Sequence, residues 1–242
     1  MTATRGARFY FSFRSPYSWI AARLVAERLG PQAGRLRHIP YWEGDGVTRE
    51  LLRQRGAEIL YAPMTRQKHL YILQDVKRLT RHLGYAHVWP LDQDPWWERP
   101  HLAYLAARRR GKGAEFLEAA YRARWEEGRD ICAADTLRAL AEEVGLEPDA
   151  LAAPDDPDLR REGVDGLLEA YREGVFGIPF FASGFEKFWG VDRLAAFLAR
   201  VGGDEGTDAD GPGQLLGHGL DIPPEAARRV GAYDHDCAGG CG

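Results

Sequence analysis

Four residues near the start of the chain, Ser15-Pro16-Tyr17-Ser18, bring three hydroxyl groups to a point where a helix is expected to begin. Ser15 is a good N-cap, and the first helical position, held by Pro16, tolerates proline. The free amides at a helix N-terminus favour an anion such as a thiolate or a carboxylate, and Ser15 adds a hydroxyl donor there. The motif therefore predicts an anion-binding site, although a serine that only caps the helix would explain the same residues.

A second motif, Gly177-Ile178-Pro179-Phe180, places a proline at the start of a predicted strand. A proline that follows a glycine turn and leads into a strand is a candidate for a cis peptide bond. Further on, Asp192 begins the last predicted helix, where a carboxylate can cap the helix and also bind an ammonium group. Considered alone, the 177–180 motif would be only a turn, and Asp192 would be only an N-cap.

The chain has three cysteines, Cys132, Cys237 and Cys241, and none of them lies in the 15–18 motif. We therefore expect no disulfide exchange by this motif itself. An odd number of cysteines, two of them in the last six residues, does not indicate a disulfide-stapled scaffold and fits a reducing compartment. The tail residues His235, Cys237 and Cys241 either bind a metal, form a disulfide or reactive thiol, or belong to an unstructured end; we predict no metal site.

The elements around these residues follow from hydrophobic patterning and from glycine and proline breaks. Residues 8–13 predict a buried strand, residues 15–29 a capped helix, and residues 36–40 a second strand parallel to the first. Helices are then predicted at 47–55, 65–83, 99–110, 114–126, 134–144 and 158–172. A hairpin at 180–183 and 187–189 and a helix at 191–201 follow, and residues 202–242 predict a flexible, Gly- and Asp-rich tail.

The net charge and the hydropathy of the chain limit the classes of partner that we expect it to bind. The 242 residues carry 32 Lys and Arg against 36 Asp and Glu, a net charge of -4, which creates no global field for nucleic acid or an anionic membrane. The N-terminus shows no apolar segment with a cleavage site, and no later run reaches membrane-spanning length. We expect a cytoplasmic homodimer that acts on a small-molecule substrate, without nucleic acid or membrane partners.

Three separated motifs, around Ser15, Pro179 and Asp192, resemble in their order the kappa-class glutathione transferases and 2-hydroxychromene-2-carboxylate isomerases, a branch of the DsbA-like thioredoxin superfamily. The resemblance extends from Phe9 to about Val201 and includes a middle pattern of Pro63, Lys68, Tyr71, Asp75 and Arg78. It implies an α/β thioredoxin-like fold with a large all-helical insertion. Residues 7–46 and 174–201 would form the thioredoxin-like domain and residues 47–173 the insertion.

The resemblance also implies roles for single residues. Ser15 matches the family's catalytic serine, whose hydroxyl holds the thiol of glutathione as a thiolate. The backbone of Ile178 would pair with the cysteinyl part of the tripeptide, and Asp192 would take its γ-glutamyl amine. The expected catalytic residues are Ser15, Tyr17, Ser18 and Lys68; the cofactor-binding residues are Ser15, Ile178, Pro179, Asp192 and Arg193; and the substrate-binding residues are Arg14, Trp42, Tyr71, Trp89 and Trp97.

Two loops depart from the glutathione-binding pattern of the family. Relatives commonly carry an Asn-containing loop before the Lys68 helix and an Asn-Thr or Asn-Ser pair before the next one, whereas this chain has Ala57–Ala62 and Trp96–Pro100 there. The expected cofactor is therefore glutathione, another low-molecular-weight thiol, or none. The tryptophans 42, 89, 96 and 97 either line a long apolar pocket or pack at helix ends.

Together these features predict an isomerase of the cis-trans type for a conjugated aromatic or polyenoic carbonyl compound. A thiolate held by Ser15 would add reversibly to the double bond, which could then rotate, while Arg14, Tyr17 or Lys68 would donate to the enolate. The substrate would be a 2-hydroxychromene-2-carboxylate or an enoyl or polyenyl chain of secondary metabolism, free or bound to a carrier protein. A glutathione transferase and a non-catalytic thiol-binding module are the alternatives, and a disulfide oxidoreductase is the weakest candidate.

Overall fold

The computed structural model describes residues 6–61, 64–151 and 156–202, and a mixed four-stranded sheet lies at its centre. The strands are β1 (Arg8–Phe11), β2 (Arg37–Pro40), β3 (Phe180–Ser183) and β4 (Glu186–Trp189), in the order β2-β1-β3-β4. β1 runs parallel to β2, as predicted, and antiparallel to β3, and β3 and β4 form the predicted hairpin. All four residues of β1 are buried because this central strand is covered on both faces.

The first strand ends two residues earlier than predicted, because residues 12–14 turn to bring Ser15 to the start of a helix. Helix α1 (Pro16–Leu29) begins directly after this serine, with Pro16 in its first turn. It ends at Gly30, whose φ of 49° favours glycine, and a 3-10 turn over Gly30–Arg35 leads into β2.

In the described part of the chain, six α-helices lie between β2 and β3, and each begins and ends within two residues of its predicted bounds. They are α2 (Gly46–Gln54), α3 (Arg66–Leu83), α4 (Glu98–Arg109), α5 (Gly113–Trp125), α6 (Ala134–Glu143) and α7 (Pro157–Glu173). The last predicted helix divides into a 3-10 turn, Val191–Arg193, and α8 (Leu194–Gly202). This confirms the thioredoxin-like fold with a helical insertion.

The insertion shares one hydrophobic core with the sheet. Phe9 and Phe11 of β1, Phe116 and Trp125 of α5 and Phe197 of α8 all belong to a single buried cluster. α4 supplies much of this core, since its residues 100–107 are all buried. The division of the chain into two domains at residues 46 and 174 stays a prediction.

In the described part of the chain, no helix has both the length and the apolar character that crossing a bilayer requires. Of the predicted tail, only Gly202 lies within the described residues, as the last residue of α8. The tail residues His235, Cys237 and Cys241, and also Pro63 of the middle pattern, lie outside them.

Candidate functional site

Ser15 stands at the N-cap of α1, at the carboxyl end of β1. Its Oγ accepts a hydrogen bond of 3.2 Å from the amide of Ser18, and its own amide donates to the carbonyl of Ser12 at 3.1 Å. Ser15 is half-buried, and the first turn of α1 contains no acidic residue. No carboxylate of the first turn therefore neutralises the positive end of the helix dipole. The hydroxyl proton of Ser15 is available to an anionic ligand.

Ser18, which we expected among the catalytic residues, lies behind this site. Its side chain is fully buried, and its hydroxyl accepts a hydrogen bond from the amide of Ser12 at 3.3 Å. A residue without exposed surface cannot touch a ligand in this conformation. Ser18 supports the 12–15 loop from inside the protein, and its catalytic role stays a prediction.

Three side chains of the helical insertion contact the 12–15 loop from the interior of the protein. Tyr121 Oη donates to the carbonyl of Ser12 at 3.2 Å, and Trp125 Nε1 donates to the carbonyl of Phe13 at 3.1 Å. Nε2 of His101 lies 3.3 Å from both the amide of Phe13 and the hydroxyl of Ser12. Sequence reasoning missed all three residues; the available signal was His101 itself, a lone histidine in the apolar run of α4.

The second motif lies beside this loop. The Ile178-Pro179 peptide bond is cis, as predicted. Phe180 of β3 pairs with Tyr10 of β1. The residues that precede Phe180 in the chain therefore lie beside the end of β1. The Pro179 carbonyl accepts from Gly190 at 2.9 Å, whereas within the described residues the backbone of Ile178 makes no hydrogen bond. The amide and the carbonyl of Ile178 thus have no partner among the described residues, and the pairing of Phe180 with Tyr10 places Ile178 near the 12–15 loop.

Gly177, directly before Ile178, is required by a close approach. A Cβ at this position would lie 2.7 Å from Nε1 of Trp189, and the ring of Phe176 packs against the same indole with centroids 4.8 Å apart. Trp189 therefore supports the loop that carries Ile178. Phe176 is about half exposed and adds an aromatic surface to this edge.

Asp192 and Arg193 lie in the 3-10 turn before α8, which packs against α1. Both side chains are exposed, and Oδ2 of Asp192 pairs with Nη1 of Arg193 at 2.7 Å. Asp192 does not cap the turn as expected, since Gly190 is the N-cap and no side-chain bond closes it. The carboxylate remains on the surface, where an ammonium group of a ligand could replace its arginine partner.

The residues of the middle pattern meet around Asp75. Its Oδ2 accepts from Tyr17 at 2.7 Å and its Oδ1 from Arg78 at 2.9 Å, while Tyr71 Oη approaches Oδ1 at 3.5 Å. Lys68 lies in the first turn of α3 and is half-buried, and its amide donates a hydrogen bond to the Thr65 hydroxyl. Tyr17 of α1 is therefore joined to Tyr71 and Arg78 of α3 through Asp75.

The remaining expected substrate residues divide into two groups. Arg14 is exposed beside Ser15 and pairs through Nη1 with Glu43 at 2.5 Å. Trp97 is half-buried below the guanidinium of Arg124, 4.7 Å from its ring centroid, and Trp89 is partly exposed against the edge of Trp125. Both tryptophans keep some exposed surface.

Trp42, which we expected among the substrate-binding residues, is also covered by packing. It is 3% exposed, its indole donates to the carboxylate of Glu98, and its ring stacks on His101 at 5.1 Å. It belongs to the hydrophobic core, and its substrate-binding role stays a prediction. Trp96 points elsewhere, with Nε1 donating to Asp45 at 3.3 Å, so the four tryptophans do not form one apolar wall.

The one cysteine among the described residues is not placed for thiol chemistry. Cys132 is buried, and burial together with the charge of Asp130 raises the pKa of its thiol to about 12. A thiol that stays protonated is a poor nucleophile. The described residues also contain no cluster of His, Cys, Asp and Glu side chains able to hold a metal ion.

Comparison with known sequences places this geometry in a family context. The sequence model of the DSBA-like thioredoxin domain matches residues 8–202. A 2-hydroxychromene-2-carboxylate isomerase of Sphingobium xenophagum is 28% identical over 197 residues, which cover 79% of this chain and 95% of that protein. The enzyme of the same name from Pseudomonas putida is 24% identical and covers 80% and 93%.

Solved structures show the same fold. A 2-hydroxychromene-2-carboxylate isomerase superposes with a TM-score of 0.63 at 20% identity, covering 81% of this chain and 94% of that one. A probable DsbA oxidoreductase of Streptomyces coelicolor gives 0.60 at 18% identity, with coverages of 85% and 93%. The cytosolic disulfide reductase DsbM of Pseudomonas aeruginosa, solved with GSH, gives 0.53 at 20% identity, with coverages of 81% and 94%.

Proposed function

The chain belongs to the DsbA-like thioredoxin domain family, and on that premise we propose that it is a cis-trans isomerase of a conjugated aromatic or polyenoic carbonyl compound. The observation that carries the proposal is the position of Ser15. A serine hydroxyl, and no cysteine, stands at the N-terminus of α1 beside the open backbone of Ile178. This arrangement suits an enzyme that stabilises an anion and exchanges no disulfide of its own.

Ser15 and the end of α1 act together on negative charge. The hydroxyl donates a hydrogen bond to an anion placed before the helix, and the first-turn amides add the positive end of the helix dipole. Both groups are fixed before a ligand arrives, because Ser15 is held through its amide and through its Oγ. Donors that are already oriented stabilise developing charge without reorganisation.

The residues around Ser15 fit a low-molecular-weight thiol such as glutathione. Ser15 would hold the sulfur, the backbone of Ile178 the peptide portion, and the exposed carboxylate of Asp192 an amine. When bound there, the thiol supplies a nucleophilic thiolate that adds reversibly to a conjugated double bond, so that the bond can rotate before elimination restores it. The altered loops at 57–62 and 96–100 leave another small thiol as an equal candidate.

Negative charge on the substrate requires a donor on the open side of the loop. Arg14 is the best placed of the three expected donors, because it is exposed beside Ser15 and, among the described residues, pairs through Nη1 with Glu43. Tyr17 directs its proton to Asp75, so its phenol shapes the mouth of the site and does not donate to a ligand. A carboxylated aromatic or polyenoic substrate would place its carbonyl or carboxylate on Arg14.

The test uses both isomers of the compound for which two relatives are named. The full chain is incubated with 2-hydroxychromene-2-carboxylate, and separately with its open-chain isomer, in the presence and absence of glutathione, and the mixture is followed by absorbance and chromatography. We expect one equilibrium mixture from either side and a rate about 100-fold lower for Ser15→Ala. A matched variant, Asp156→Ala, removes the N-cap of α7, which belongs to the insertion and not to the Ser15 loop, and should keep the rate.

Other outcomes separate the alternatives. A stable product with the mass of substrate plus glutathione would identify a transferase. Absence of conversion for this compound and for a polyenoyl thioester, with folded protein and added thiol, would contradict the isomerase. Reduction of insulin by a chain truncated after residue 202 would point to disulfide exchange instead.

A further inference from the structure

We infer that His101 is a positioning residue for the Ser15 site: its neutral imidazole fixes the 12–15 loop, and through that loop it sets the direction of the Ser15 hydroxyl and amide. The inference rests on the proposed function in that it concerns the same site. It assigns a role in that site to a residue of the helical insertion, 86 positions away in sequence from Ser15.

The partners of His101 fix its tautomer. Nδ1 lies 2.7 Å from the carbonyl of Trp97, which can only accept, so Nδ1 carries the proton. Nε2 lies 3.3 Å from the amide of Phe13, which can only donate, so Nε2 is the acceptor. One neutral form of the ring satisfies both partners, and the charged form would place a proton against the Phe13 amide.

The path from this ring to Ser15 is two residues long. The hydroxyl of Ser12 lies 3.3 Å from Nε2 and accepts from the amide of Arg14 at 3.3 Å. The carbonyl of the same residue accepts the amide of Ser15 at 3.1 Å. Ser12 thus connects the imidazole with the backbone on both sides of Arg14, and a shift of Ser12 moves Ser15.

The surroundings keep the imidazole in this form. His101 is fully buried, stacked on Trp42 with an interplanar angle of 11° and tilted against Phe13. Burial, together with the positive charge of Arg124 on α5, lowers the pKa of His101 to about 3. Trp42 is held in turn by the carboxylate of Glu98. The ring therefore keeps one protonation state and one orientation while a ligand binds.

Three substitutions separate positioning from packing. His101→Phe keeps an aromatic ring in the core but loses both hydrogen bonds. His101→Gln can place an oxygen near the position of Nε2 and restore the bond to Phe13, whereas His101→Asn reaches only the Trp97 side. His38→Phe is the matched control, because His38 is a second imidazole at a carbonyl, 2.9 Å from that of Leu36, and belongs to β2.

The first measurement needs no turnover. In ¹H–¹⁵N spectra, the amides of Phe13, Ser15 and Ser18 should shift in His101→Phe and return toward the native positions in His101→Gln. The imidazole ¹⁵N shifts of native His101 should report protonated Nδ1 and unprotonated Nε2 at neutral pH. These results would hold even if the isomerase activity were absent, so the inference and the proposed function fail independently.

The second measurement is kinetic. We expect His101→Phe to lower kcat/KM by about 10- to 100-fold, mostly through kcat, because displacement of a reacting group by about 1 Å costs that much. His101→Gln should recover most of the loss, and His38→Phe should keep native kinetics despite a lower unfolding midpoint. If His101→Phe lowers the midpoint but leaves the Ser15 and Ser18 amide shifts and kcat unchanged, His101 is only a core residue and the inference is wrong. Should His101→Phe fail to fold, the Gln and Asn pair decides: equal amide shifts in both would overturn it.

Discussion

The phenol of Tyr17 in the first turn of α1 donates a hydrogen bond of 2.7 Å to Oδ2 of Asp75 on α3. Burial, and then the hydrogen bond and charge of Asp75, raise the pKa of Tyr17 above its ordinary value. The phenol therefore stays protonated, and its proton points at α3. This contact ties the helix that carries the anion site to the helix that borders its mouth.

Tyr17→Phe should remove that connection without removing the chemistry. The free energy of unfolding should fall by about 1 kcal/mol for the lost hydrogen bond. KM should rise because α3 is less firmly held, while kcat stays close to the native value. Steady-state kinetics and urea unfolding check this expectation, with Asp75→Asn as the companion variant that keeps an acceptor. A loss of kcat of about 100-fold would instead assign Tyr17 a role in proton transfer.

Ser15→Ala should lower both activity and stability, because the same oxygen caps α1 and faces the ligand. Loss of an N-cap costs about 1 kcal/mol, so the unfolding midpoint should drop together with the rate. Ser15→Thr keeps a hydroxyl and should recover most of the stability. The comparison with Asp156→Ala, which loses a cap in α7, isolates the catalytic part, since that variant should lose stability alone.

The buried ion pair between Arg8 of β1 and Glu173 of α7 should be costly to break. Their side chains are 2% and 6% exposed, and Nη2 lies 3.1 Å from Oε2. Glu173→Ala leaves a buried guanidinium without its charge partner and should lower the free energy of unfolding by about 3–5 kcal/mol. The double variant Arg8→Met with Glu173→Leu should lose much less than the sum of the single variants in a urea unfolding cycle. If the double variant loses as much free energy of unfolding as the two single variants lose together, the charges do not interact.

Two histidines should make the protein less stable in mild acid. Burial lowers the pKa of His38 to about 4 and that of His101 to about 3, from 6.5 in an unfolded chain. As pH falls below 6.5, the unfolded chain therefore binds protons that the folded chain does not. The stability that these groups contribute is complete above about pH 6.5 and falls toward pH 4, by at most about 1.4 kcal/mol per pH unit for each histidine. Urea unfolding at several pH values should show that the free energy of unfolding depends less steeply on pH in His38→Phe than in the native protein. The same slope in both proteins would contradict this expectation.

Cys132 should resist alkylation in the folded protein. Its thiol is buried, and its pKa is raised to about 12. Iodoacetamide at pH 8 should therefore leave the Cys132 peptide unmodified until a denaturant is added, as mass spectrometry of tryptic peptides can show. Labelling of this residue at the rate of a free thiol would mean that the loop after Arg129 opens readily.

The elements of the fold were predictable because their signals are local. Ser15 and Pro16 mark the start of α1, Gly84 and Gly174 end α3 and α7 in the left-handed conformation, and the predicted cis bond before Pro179 is present. Each of these features depends on the preferred backbone angles of one or two residues. No knowledge of distant parts of the chain is needed to recognise them.

The interior of the site was not predictable in the same way. Ser18 and Trp42 are polar or amphipathic residues near a motif, and the sequence does not show that tertiary packing covers them. His101, Tyr121 and Trp125 reach the 12–15 loop from 86 or more residues away. Such contacts arise from how α4 and α5 pack on the sheet, and a single sequence carries no direct signal for that packing.

The donors that Tyr121 and Trp125 extend to the carbonyls of Ser12 and Phe13 have a consequence for engineering. Exchanging the helical insertion for that of another thioredoxin-like protein would also withdraw the groups that hold the 12–15 loop. A chimera therefore has to carry over an imidazole, a phenol and an indole at the matching positions. Designers should treat α4 and α5 as internal supports of the candidate site, and should place crossover points outside these two helices and outside α3, which holds Tyr17 through Asp75.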